Sequence, residues 1–197
     1  PNHFPTSVRE LGEAVAYIRE HAAEWKVDPA KIIVCGSSAA GHLACSLGVF
    51  WDNELVYDAI GRTPAQIRPD GLILCYPVIT GGEYAHVNSF KRLLGDDVTQ
   101  EQRDAVSLEN FVTEQTPRAF IWHTYTDENV PVENSLLLAA AMKRKNVNFE
   151  LHIYPTGGHG LSLADEETAG NGFQVVEQCQ SWIPLVKMWL KHFDASC

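Results

Sequence analysis

Apolar residues recur along this chain with two distinct periods, and the alternation between them outlines its architecture. Val8, Leu11, Val15, Ile18, Ala22 and Trp25 fall at steps of three and four, the stripe of an amphipathic helix from about Ser7 to Glu24. In "VDPAK", Pro29 forces Asp28 out of the helical region and ends that helix. Ile32-Ile33-Val34-Cys35 then runs apolar on both faces, as a strand buried in a parallel sheet does. A helix is predicted over Ser38 to Phe50. The device repeats in "IRPDGLILCYP", with a buried strand over Leu72 to Cys75 stopped by Pro77.

From Thr80 to Thr116 the pattern weakens into glycine-punctuated polar sequence, with short helical pieces near Phe90–Leu94 and Gln100–Val106. This stretch reads as an excursion over one edge of a sheet. "RAFIWHT" predicts a third buried strand, and Val132 to Lys145 a helix presenting Leu136, Leu137, Ala140 and Ala141 on one face. "FELHIYP" predicts a fourth strand. The closing helix carries Trp182, Ile183, Val186, Trp189, Leu190 and Phe193, with Pro184 fitting its first turn if Ser181 is the N-cap. Strands alternating with helices mean βα units and a mostly parallel sheet, in an α/β architecture with flanking helices.

Composition narrows the partners. The 197 residues, 45% of them hydrophobic, can bury one sizeable core, and length points to one domain over 1–197, with 80–116 as its excursion. A formal charge of −10 argues against nucleic acid, whose phosphates need clustered Lys and Arg, and disfavours an anionic membrane. Five cysteines without a C-x-x-C pair indicate neither a zinc site nor a redox dithiol. Cys35, Cys45 and Cys75 lie in apolar runs and read as buried free thiols of a reducing, cytoplasmic compartment. No apolar stretch approaches a membrane span. No signal peptide is visible, in a chain that begins with Pro1 instead of Met.

Ligands of open parallel sheets bind beyond the carboxyl ends of the strands. Here those ends lead into "GSSAAG", "YPVITGG", "HTYTDENVP" and "PTGGHG", which supply a serine, an aspartate and a histidine in that order. A serine hydroxyl becomes a nucleophile when a base removes its proton and a third group fixes the base. Ser38 would attack, His159 would take the proton and Asp127 would hold the imidazole. A strained strand-to-helix turn needs small neighbours two positions away, and Gly36 and Ala40 flank Ser38 at that spacing. Ser37, flanked by Cys35 and Ala39, meets the requirement only in part. The N–H of Ala39, at a helix N-terminus, would donate to a developing oxyanion. Singly, each residue has an ordinary reading: Ser38 as a helix cap, Asp127 as a loop residue, His159 as a turn. Their chain order and their places after strands favour the catalytic one.

"DPAKIIVCGSSAAGHLA", "HTYTDENVPVENS" and "YPTGGHGLSLA" resemble the α/β-hydrolases related to acetyl xylan esterases and other small carbohydrate esterases. The resemblance runs over nearly the whole chain, including "FP" before the first helix and "SFKRLLG" in the excursion. It implies the α/β-hydrolase fold, with Ser38 as nucleophile, Asp127 as acid and His159 as base. The family usually reads Ser-Ala-Gly-Gly at the turn, and Ala40 stands in place of the first of those glycines. The family also carries a His-Gly-Gly-Gly-type loop and earlier strands ahead of the first helix, and nothing like them precedes Pro5. The expectation is the C-terminal two-thirds of a hydrolase, with the N-terminal strands missing from this chain. The strand at Ile32 then becomes an exposed edge, inviting a homo-oligomer or association with the missing N-terminal segment.

The function expected from these features is hydrolysis of a small ester or acetylated carbohydrate such as xylan, without cofactor or metal. An amide or peptide hydrolase, formamidase-like enzymes included, is the alternative on the same scaffold; a non-catalytic hydrolase-like binding module is the alternative of another class. Ser37, Tyr76, His86 and Tyr125 are candidate substrate-binding residues, and Ser89 and Trp51 lie in segments that can line the same region. His42 is expected to pack at its helix start, and His123 to be structural.

Overall fold

The computed structural model of the chain describes residues 3–170 and 174–193. Helix α1 spans Thr6–Glu20 and the short α2 spans Ala22–Trp25. The single helix expected over Ser7–Glu24 is therefore broken at His21, whose Nδ1 lies 2.9 Å from the Tyr17 carbonyl that the helix backbone also uses. Beyond the break the apolar stripe loses its phase, and Trp25 is 45% exposed instead of buried. Strand β1 (Ile33–Ser37) leads into α3 (Ala39–Phe50). The connection to β2 (Gly71–Cys75) holds two one-turn helices, α4 (Glu54–Tyr57) and α5 (Pro64–Ile67). Helices α6 (Val87–Leu94) and α7 (Gln100–Asp104) precede β3 (Arg118–Thr124). Then follow α8 (Glu133–Arg144), β4 (Phe149–Tyr154), α9 (Glu177–Gln180) and α10 (Trp182–Lys191).

All four strands are parallel and lie in the order β1-β2-β3-β4. Successive side chains of a strand point to opposite faces, and β2 divides accordingly. Leu72 and Leu74 join a core with α1, α3 and α8, while Ile73 and Cys75 join another with Trp182, Val186 and Trp189 of α10. Helices thus cover both faces of the central strands β2 and β3, which is why those two read as apolar runs. Segment 80–116 runs from the carboxyl end of β2 to the amino end of β3, and its part around Leu108–Val112 packs between α3 and α8. Leu108 donates its N–H to the Ile79 carbonyl at 3.1 Å and is buried with Val112 among α3 and α8 residues. This layered parallel sheet is the architecture of the α/β-hydrolases.

Several expected details change with packing. On α8 the buried residues are Asn134, Ser135, Leu138, Ala139, Ala141 and Met142, while Leu136 is 46% exposed. Ser181 has helical dihedrals and no side-chain capping bond; its hydroxyl donates back to the Gln178 carbonyl at 2.7 Å, joining α9 to α10. Leu190 is exposed beside the buried Trp189. Cys45, Cys75 and Cys179 are buried free thiols, but Cys35 is exposed and borders a cavity shared with Ser37 and Trp182. Cys197 lies outside them.

Candidate active site

Register brings the chemistry to one end of the sheet. Ser37, Cys75, Trp122 and His152 align across the four strands, so Ser38, Tyr76 and His123 follow at the next level, at the carboxyl ends. Ser38 sits between β1 and α3 with φ 55° and ψ −122°, a conformation costly for a residue with a Cβ. The surrounding bonds over-determine it. Its N–H donates to the Cys75 carbonyl at 3.0 Å, and its carbonyl accepts from Gly41, His42 and Val78. Such a turn brings the chain back on itself, and a Cβ on Gly36 would lie 2.1 Å from the Ala40 carbonyl oxygen. The small residue two positions before Ser38 is required by backbone contact.

The turn aims Ser38 Oγ at His159, 2.7 Å from Nε2. His159 Nδ1 lies 2.7 Å from Asp127 Oδ2. A carboxylate only accepts, so the neutral imidazole carries its proton on Nδ1 and Nε2 accepts from the serine hydroxyl. Asp127 is wholly buried at its side chain, and Oδ1 accepts the N–H groups of Asn129 at 3.0 Å and Val130 at 2.9 Å. Burial pushes its pKa up, but the contacts from His123, His159 and the Val130 N–H outweigh burial. They hold the carboxyl well below the usual carboxylate range. An anion is therefore fixed behind the imidazole across the neutral pH range. Ala39 is exposed and opens α3, where its N–H has no acceptor within the helix.

Two threonines join the histidine loop to the aspartate loop. The Thr124 and Thr126 hydroxyls both donate to the Gly157 carbonyl, at 2.9 and 3.0 Å, and Thr126 Oγ1 accepts the Gly157 N–H. Gly157 has φ 141°, and a Cβ there would stand 2.8 Å from Leu161 Cδ1 and 2.9 Å from Thr124 Cγ2. Sequence reasoning did not find these threonines, since a hydroxyl after a strand carries no signal until its partner loop is known.

The remaining candidates separate by environment. Tyr76, expected at the substrate, is 5% exposed. Its hydroxyl accepts the Ser162 N–H at 3.0 Å, and its ring stands edge-on to Trp122 and His159, with centroids 5.0 and 5.2 Å away. It braces the imidazole. Trp51 follows the far end of α3, where the Arg68 guanidinium lies 5.1 Å from its ring centroid, away from the site. Tyr125 is 70% exposed on the surface after β3. Ser37 is exposed and borders a second cavity with Tyr76 and Trp182. His86 precedes α6, with Nδ1 2.8 Å from Ser89 Oγ. Burial lowers its pKa, and His159 lowers it further, so His86 lies within electrostatic reach of the site. A cavity of about 170 Å³ opens beside Ala39, lined by Val78, Ser89, Phe90 and Leu93. His42 packs as expected, between the Val106 carbonyl and Ser46. Among the described residues no three His, Cys, Asp or Glu side chains are placed to hold a metal ion, and no helix is long and apolar enough to cross a membrane.

Comparison with known proteins adds a second line of observation. The family described as BD-FAE matches residues 1–142. Endo-1,4-beta-xylanase B of Butyrivibrio fibrisolvens is 41% identical over 164 residues, which is 81% of this chain and 25% of that protein. Acetylxylan esterase of Xylanibacter ruminicola is 29% identical over 161 residues, 79% of this chain and 31% of that protein. The crystal structure of the acetyl ester-xyloside bifunctional hydrolase from Caldicellulosiruptor lactoaceticus superposes with a TM-score of 0.77 at 38% identity, covering 95% of this chain and 68% of that one. The chain thus spans a quarter to a third of the length of these two curated relatives.

Proposed function

The chain belongs to the BD-FAE family, and from that premise we propose that it is the catalytic part of a serine hydrolase for small carboxylic esters. Acetyl esters of carbohydrate such as xylan are the substrate class that fits, given the names of its relatives. The observation that carries this reading is the hydrogen-bonded chain from Ser38 through His159 to Asp127. Ser38 Oγ attacks the ester carbonyl carbon while His159 Nε2 takes its proton, and Asp127 stabilises the imidazolium. The carbonyl oxygen becomes an oxyanion and accepts from the Ala39 N–H at the positive end of α3. Collapse breaks the ester C–O bond, and the leaving alcohol takes the proton from His159. Water then loses a proton to His159 and attacks the acyl carbon; collapse breaks the bond to Ser38 Oγ, which takes the proton back from His159 as the acid leaves.

A fluorophosphonate probe is expected to label Ser38, and Ser38→Ala to abolish labelling and lower ester turnover by roughly 10⁶-fold. A label on Ser37, or one that persists in the variant, would overturn the nucleophile. The cavity of about 170 Å³ favours short acyl groups, so p-nitrophenyl acetate should be cleaved faster than the decanoate, and acetate should be released from acetylated xylan. Faster cleavage of the decanoate would count against a carbohydrate deacetylase. Preferential cleavage of an anilide would favour the amide-hydrolase alternative.

A further inference from the structure

His123, near the end of β3, is wholly buried, and none of the steps above uses it. Its Nε2 lies 2.9 Å from the Val130 carbonyl and 3.3 Å from Asp127 Oδ2. Facing two acceptors, that nitrogen carries the proton. Nδ1 then accepts from the Ser135 hydroxyl at 2.8 Å, and Ser135 is wholly buried on α8. Val130 is also the residue whose N–H holds Asp127 Oδ1. A closed ring results. Val130 grips one carboxylate oxygen, His123 grips the Val130 carbonyl, and the same His123 nitrogen stands against the other oxygen, the one that meets His159 Nδ1.

We propose that His123, held by Ser135, is a positioning residue for the hydrolysis, setting the orientation of the Asp127 carboxylate toward His159. This rests on the reading of Ser38, His159 and Asp127 given above. Without His123 the buried Val130 carbonyl loses its partner, and the 127–130 turn loses the side-chain link that runs through His123 to Ser135 on α8. The carboxylate then shifts when the imidazole becomes cationic and needs it most, and a displacement of tenths of an ångström to about 1 Å is costly in rate. His123 lies behind Asp127 and is wholly buried, so the loss falls on kcat and spares KM.

The test compares His123→Leu, His123→Gln and Ser135→Ala in the full-length protein, on a short-chain acyl ester, well below each variant's melting temperature. His123→Leu is expected to lower kcat roughly 10- to 100-fold with KM changed less than about twofold. His123→Gln, whose amide nitrogen reaches the Nε2 position, is expected to restore most of kcat, with Ser135→Ala intermediate. A folded His123→Leu enzyme with the wild-type kcat would overturn the proposal, and so would equal losses in the Leu and Gln variants. If the Leu variant does not fold, the other two decide: a wild-type kcat in Ser135→Ala overturns it, and a lowered kcat there with near-normal His123→Gln supports it. Ser38→Ala separates the two levels. Activity surviving in Ser38→Ala sinks the triad reading itself; activity lost there but retained in the His123 and Ser135 variants sinks only the positioning role.

Discussion

His42 shows how one buried titratable group sets the response of this fold to acid. It is 5% exposed, its Nε2 lies 2.9 Å from the Val106 carbonyl, and its ring meets Phe90 edge-on. Burial lowers its pKa from 6.5 to about 4, outweighing the carbonyl, which raises it. Between those values the unfolded chain binds a proton that the folded chain does not, so stability rises with pH through this window and is lost on acidification. The loss is roughly 3 kcal/mol from pH 6.5 down to 4. The depressed Asp127 acts in the same direction at lower pH, since its contribution disappears as pH falls below the ordinary carboxylate range. Unfolding free energy measured between pH 7 and 4 should therefore fall steeply in the wild type and less in His42→Gln. Equal slopes in the two proteins would remove His42 as the cause.

At the scale of elements, α8 buries polar residues in its first turn ahead of the apolar Leu138, Ala141 and Met142. Asn134 Oδ1 accepts the N–H groups of Ile79 and Thr80 at 2.8 and 3.0 Å. Its Nδ2 donates to the carbonyls of Tyr84 and Pro131, both at 3.0 Å. One amide so satisfies four backbone groups and ties the segment after β2 to the start of α8, while the next residue, Ser135, holds His123. Periodicity pointed to Leu136 as a buried position because a helix face is normally chosen by its apolar residues. Here the interior offers unpaired backbone groups, and a buried amide that meets all of them is favoured over an apolar side chain that meets none. Asn134→Leu should destabilise the fold by about 3 kcal/mol. A urea midpoint corresponding to a loss below about 1 kcal/mol would refute this account.

For the molecule as a whole, the outer side of β1 is the exposed feature with the largest consequence. Among the described residues β1 pairs only with β2, leaving a row of backbone donors and acceptors along Ile33–Ser37. Unpaired edges recruit other strands, and the net charge of −10 opposes that only through repulsion that salt screens. Residues 1–197 expressed alone are expected to self-associate with rising concentration, more so at high salt. Cys35→Lys, at the exposed middle of the strand, should weaken the association. Sedimentation velocity over a concentration series decides it, and a monomer throughout would show that the edge is inert.

Local signals were sufficient for the strands and for the tight turn at Ser38. The apolar runs at Ile32, Leu72 and Ala119 suit strands of a helix-covered parallel sheet, and Ser38, Asp127 and His159 each follow a strand end in the sequence. Gly36 was legible because the turn leaves no room for a Cβ, a constraint acting within five residues. Only the tertiary structure decided the break at His21, the polar face of α8, the burial of Tyr76 against His159 and the ring joining His123, Val130 and Asp127. Each depends on partners brought together from separate segments. A histidine or asparagine in an apolar run has the same sequence signature whether it packs, caps or clamps, because its role is set by which unpaired groups folding brings to it.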